Sequence, residues 1–109
     1  MATDVRLEGP AQRQFEKAPA AIQDELRERA QELAKDPQLG EYVPPASVHN
    51  KATLQRWQAR VGPVKNPYKL ALADGWRSLY TVGSRGPDRI VMILEVVRHK
   101  EYERLMGYS

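Results

Sequence analysis

The sequence predicts an α+β domain: two N-terminal helices packed on an antiparallel sheet of about four strands. Helical periodicity dominates the first third of the chain, and strand-like alternation dominates the last third. Turn signals separate the strand-like runs, as a meander requires. The length of 109 residues suits a single domain covering 1–109.

Val5-Arg6-Leu7 alternates and reads as a short opening strand. Gly9-Pro10 punctuates it, with Pro10 suited to a first helical turn. A short helix over 11–17 follows, with Phe15 inward. Pro19 restarts the helix, and Ile22, Leu26, Ala30 and Leu33 then fall on one helical face. The opposite face is charged, through Asp24, Glu25, Arg27, Glu28 and Glu32. Asp36-Pro37 ends it.

Residues 39–51 hold Gly40, Pro44, Pro45 and Asn50 and read as a loop. Leu54, Trp57 and Val61 lie at helical spacing, so 53–61 reads as an extra helix that Thr53 could cap. Residues 68–72 alternate as a strand, Ala73-Asp74-Gly75 is a hairpin turn, and 76–82 is the return strand. A second turn spans 83–88. The β-branched, apolar run 90–97 reads as the central, most buried strand. Residues 98–109 read as a polar tail.

Charge is unevenly placed. Residues 1–50 carry six Lys/Arg against nine Asp/Glu, and residues 51–109 carry eleven against five. A basic back half suits phosphates, although charged residues also simply solvate a surface. There is no cysteine, which points to a reducing compartment and excludes thiolate metal sites. No apolar run is long enough to cross a membrane, and residues 1–10 lack the apolar stretch of a signal peptide. The expected setting is the cytoplasm, with no membrane partner. Two histidines, His49 and His99, without supporting carboxylates make a poor metal site, and no cofactor motif occurs.

The back half concentrates groups suited to metal-free phosphodiester cleavage. RNA is cut when its own 2′-hydroxyl attacks the adjacent phosphate. An enzyme assists by taking that proton, neutralising the phosphorane charge and protonating the leaving oxygen. His99 carries the side-chain type that suits proton transfer near neutral pH. Arg77 could fork two hydrogen bonds to phosphate. Lys69 and Lys100 supply charge, and Tyr102 or Tyr108 could stack on a splayed base. Arg98 and Lys65 are further candidates for RNA contact. The same residue types also serve as ordinary solvated or core-edge groups. Whether Lys69 and Arg77 share a face depends on a strand register that the sequence leaves open.

The segments YKLALADGWRSLYTV (68–82) and ILEVVRHKEYERLMGY (93–108) resemble the RelE/ParE toxin superfamily, most closely a RelE-like branch. Gly75-Trp76-Arg77 and His99-Lys100-Glu101-Tyr102-Glu103 carry the likeness. The resemblance implies a compact microbial-RNase-like sheet and a metal-independent ribonuclease acting on messenger RNA in the ribosome. It also implies a cognate antitoxin as partner. By position, Arg77 matches the arginine on the scissile phosphate, Lys69 a basic residue of the preceding strand, and His99 and Lys100 the basic pair after the last core strand. Tyr102 or Tyr108 matches the stacking tyrosine. Ala71 departs from the pattern, standing where such enzymes often carry a second basic residue, and 39–67 is longer than in compact members. Two other functions fit the same resemblance: a ParE-type inhibitor of DNA gyrase, and a member that binds RNA or a partner without cutting.

Overall fold

The computed structural model describes residues 3–64 and 66–107. Its order is β1 (Thr3–Leu7), α1 (Pro10–Lys17), α2 (Ala20–Lys35), β2 (Glu41–Tyr42), α3 (Lys51–Val61), β3 (Pro67–Ala71), β4 (Trp76–Arg85), β5 (Asp88–Arg98) and α4 (His99–Met106). The α+β class holds, with five strands in the order β1-β5-β4-β3-β2. Two features correct the expected antiparallel sheet of about four strands. β1 runs parallel to β5, and the two-residue β2 adds an edge to β3. Two residues are too few to show a period of two, so β2 leaves no trace in the sequence pattern.

Both faces of the sheet are covered. On one, Ile22, Leu26 and Leu33 of α2 and Ala11 of α1 pack on Leu70, Tyr80, Val91, Ile93 and Val96. Gln23 ties the two helices by donating to Phe15 O at 2.8 Å. On the other face, Trp57 of α3 and Tyr102 and Met106 of α4 pack on Leu79, Leu94 and Val97. β5 is heavily buried as expected and has neighbours on both sides, although β4 holds the middle position. A bulge in the β4–β5 pairing falls between Leu79 and Tyr80. Leu94 joins the α3–α4 core, and the neighbouring Glu95, 3% exposed, accepts from Trp57 Nε1 at 2.9 Å. The other oxygen of Glu95 accepts from Gln14 Nε2 of α1 at 2.8 Å.

The extra helix is present as α3, but Asn50 caps it, accepting from Ala52 N at 3.2 Å. Thr53 is instead fully buried inside the first turn, where its hydroxyl donates to Leu105 O of α4 at 2.7 Å. The expected polar tail is the helix α4. Tyr102 and Met106 sit one turn apart on its buried face, and Gly107 closes it in the left-handed conformation at φ 80. The second hairpin turn is tighter than expected, because β4 continues to Arg85 and leaves Gly86-Pro87 as the turn. The first is a 3-10 turn, Ala73–Gly75, with Asp74 at φ 56 and Gly75 at φ 77.

Candidate functional site

The register settles the open question about the hairpin. Lys69 pairs with Leu79 and Ala71 with Arg77, so all four share one face of the sheet. It is the face covered by α4, which lays the Tyr102 ring against both cations. Lys69 Nζ lies 5.5 Å from the ring centroid and Arg77 Cζ lies 5.2 Å from it. Both contacts are within cation–π range. Tyr102 is 5% exposed, so it is enclosed by its own fold rather than open to a base.

Lys69 also meets Glu41 of the edge strand at 3.4 Å. Arg77 is less satisfied. Its one hydrogen bond among the described residues runs from Nη1 to Gly75 O at 3.4 Å, and its buried Nε has no partner. A buried, unpaired guanidinium nitrogen costs free energy, and such groups concentrate where a ligand completes the bonding. Its cross-strand neighbour Ala71 contributes only a methyl group.

His99 and Lys100 open α4 and are exposed. His99 Nε2 stands 3.0 Å from Glu103 Oε1, one helical turn on. Free N–H groups at this helix start add positive potential to the two side chains. Arg98 goes elsewhere. It pairs with Trp76 across β4–β5, and its guanidinium lies 5.4 Å from the Trp76 ring centroid. Trp76 packs with the α1–α2 core, so this pair occupies the opposite face from Arg77. Lys65 and Tyr108 lie outside the described residues.

The structure therefore joins Lys69, Arg77 and Tyr102, sets His99 and Lys100 at the rim, and separates Arg98. Sequence reading missed the partners Glu41, Glu103 and Trp76. The four-residue spacing of His99 and Glu103 would reveal that pair once 99–106 is read as helix. The other two depend on strand pairing. Among the described residues no three His, Asp or Glu side chains are grouped to hold a metal ion, and no helix is long and apolar enough to cross a membrane.

A family model described as the ParE toxin of the type II toxin-antitoxin system, parDE, matches residues 5–102. A solved structure of an E. coli RelE toxin mutant in the free state is similar, with a TM-score of 0.61 and 17% identity. The match covers 98% of this chain and 97% of that one. At that identity the likeness speaks for the fold. No curated protein sequence matches.

Proposed function

The chain belongs to the ParE toxin family of type II toxin–antitoxin systems, and from that premise we propose that it arrests translation by cutting messenger RNA on the ribosome without a metal. The RelE/ParE resemblance read from the motifs is borne out, and a toxin of this family implies a cognate antitoxin protein. The single observation that carries the finer reading is the Lys69–Tyr102–Arg77 arrangement, with its unpaired Arg77 Nε. Two cations converge on one point of a rigid sheet, and one of them lacks an acceptor. An anionic group is the natural complement.

In this reading the Arg77 guanidinium holds the scissile phosphate and takes up the charge that develops on it. Lys69 adds charge from the neighbouring strand. His99 moves the proton, with Glu103 orienting the imidazole through Nε2. Lys100 is close enough in sequence to lend charge to the leaving oxygen. Tyr102 spaces and aims the two sheet cations. The reaction takes place where ribosomes translate, in the cytoplasm.

A second reading, inhibition of DNA gyrase, is favoured by the ParE description and by Ala71 beside Arg77. One experiment separates the two. The wild-type chain and the Arg77→Ala, His99→Ala double variant are induced in cells and added to programmed ribosomes, and messages are mapped by primer extension. Ribonuclease action predicts cuts in the ribosomal A site and rapid loss of translation, both abolished in a double variant that still folds. Intact messages with a DNA-damage response would establish the gyrase reading. A double variant as toxic as wild type would place the site elsewhere.

A further inference from the structure

The second cationic group, on the opposite face of the sheet, lies at the same end as Arg77. Trp76 is the first residue of β4 and Arg98 the last of β5. With Lys17 of α1, Gln14 and Glu101 they line a cleft of about 430 Å³. That size falls within the range of about 300–1,000 Å³ typical of small-ligand sites. We propose that this cleft is a second subsite for single-stranded RNA, holding the base and phosphate of a nucleotide neighbouring the one cut at Arg77. The proposal rests on the ribonuclease reading and names where its substrate continues.

Strand geometry makes the two sites adjacent. Consecutive residues point to opposite faces, so Trp76 and Arg77 are back to back at the sheet's end. The residue before them is Gly75, exposed and without a side chain. A β-carbon built there would meet only the His99 β-carbon, at 3.8 Å. His99 thus stands beside an open passage between the Arg77 face and the Trp76 face. A single strand crossing at Gly75 passes the imidazole and enters the cleft.

The chemistry inside fits a nucleotide. Arg98 is exposed and lies over Trp76, so the guanidinium offers its outer face as a stacking platform. Among the described residues neither Arg98 nor Lys17 is ion-paired with a carboxylate, unlike Lys69, Arg27, Arg29 and Arg85. Against these two cations the cleft holds one carboxylate, Glu101. Gln14 is already engaged, accepting from Val96 N and donating to Glu95, so it forms a fixed wall.

The test uses the full chain and a short single-stranded RNA whose 2′-hydroxyls are methylated, so that it binds but cannot be cut. The protein has two tryptophans, and Trp57 is 1% exposed. A base in the cleft therefore quenches the fluorescence of Trp76. Arg98→Ala should weaken binding about tenfold, the scale of one lost stacking platform. Lys17→Ala should lower the slope of log affinity against log salt by about 0.7, one phosphate contact on a single strand. Both side chains are exposed, and circular dichroism will verify folding. Absence of quenching, or wild-type affinity in both variants, overturns the subsite. Equal, Arg98-dependent binding of the same sequence as DNA overturns the RNA assignment. Failure of the ribonuclease reading would show separately, as uncut messages on ribosomes while the uncuttable oligonucleotide still quenches Trp76.

Discussion

Replacing Thr53 with valine removes one hydroxyl from the joint that holds α4 to the body of the protein. α4 has eight residues, too few for a helix to persist on its own in water. Its C-terminal carbonyls are satisfied from the start of α3. Thr53 Oγ1 donates to Leu105 O at 2.7 Å, His49 N and Asn50 N donate to Met106 O at 2.8 and 3.3 Å, and Asn50 Nδ2 reaches Arg104 O at 3.4 Å. Valine fills the same space, so the change leaves no cavity and removes only the hydroxyl's bonds: the one to Leu105 O and a long one accepted from Arg56 Nη2 at 3.5 Å. It also strands the Leu105 carbonyl against a fully buried methyl group. A net bond of about 1 kcal/mol is lost, and an unsatisfied buried acceptor adds about as much again, giving about 2 kcal/mol. In a domain of this size that lowers the melting temperature by about 10 °C. Thr53→Ser keeps the hydroxyl and should cost about half as much. Thermal unfolding gives the magnitude, and hydrogen exchange shows whether α4 amides lose protection before those of β5. A Thr53→Val protein with wild-type melting and wild-type exchange in α4 would refute the argument that this joint holds the helix.

Three other outcomes follow from the packing. Burial pushes the Tyr80 hydroxyl up to about 12, against the opposing bond from Gly40, with Tyr68 and Asp36 adding to the rise. Between pH 10 and about 12 the unfolded chain has released that proton and the folded chain has not, so Tyr80 makes stability fall as pH rises through this window and leaves it unchanged below; Tyr80→Phe should flatten this part of a denaturation-versus-pH curve. A β-carbon at Gly40 would lie 2.8 Å from Lys69 O and from the Tyr80 hydroxyl, whereas one at Gly62, at φ 80, meets nothing within 4 Å. Gly40→Ala should therefore cost about 2–3 kcal/mol in urea unfolding, and Gly62→Ala only about 1 kcal/mol of backbone strain. Trp57→Phe and Glu95→Leu each orphan a buried partner of the 2.9 Å bond between them, so the double variant should be more stable than the sum of the singles by about 1 kcal/mol.

The sequence made the large periodic elements legible and left the connections between them hidden. α2 shows because Ile22, Leu26 and Leu33 repeat over about three turns, and β5 because its apolar run is broken only by Glu95. α4 was hidden because its eight residues begin His-Lys-Glu and hold few apolar positions, so composition outweighs period. With α4 unread, neither the His99–Glu103 pair nor the enclosure of Tyr102 could be foreseen. The shared face of Lys69 and Arg77 was hidden for another reason. Their register is fixed by the 3-10 turn with Asp74 in the left-handed region, and a slip of one residue would send Arg77 to the α1–α2 side. Strand direction is equally a tertiary property. Val5 and Leu7 fit either orientation, and β1 runs parallel to β5 because its partner is reached through the whole chain rather than through a turn.

Under the ribonuclease reading, this architecture divides the site between two supports of unequal rigidity. Lys69 and Arg77 stand on adjoining strands of a five-stranded sheet, backed by Leu79 at its core. Their position is as firm as the fold itself. His99 and Lys100 stand on α4, whose placement depends on the few bonds from residues 49–53. Phosphate binding and proton transfer are therefore separable. Loosening the α3–α4 joint should lower the cleavage rate more than RNA affinity, because His99 and Lys100 move with α4, whereas the strands that carry Lys69 and Arg77 stay in place and lose only the Tyr102 ring between the two cations. Removing Arg77 should do the reverse to affinity even with α4 in place. Glu41 and residues 49–53 thus serve the chemistry through other residues: Glu41 meets Lys69 at one end of the site, and residues 49–53 form the joint that seats the histidine at the other.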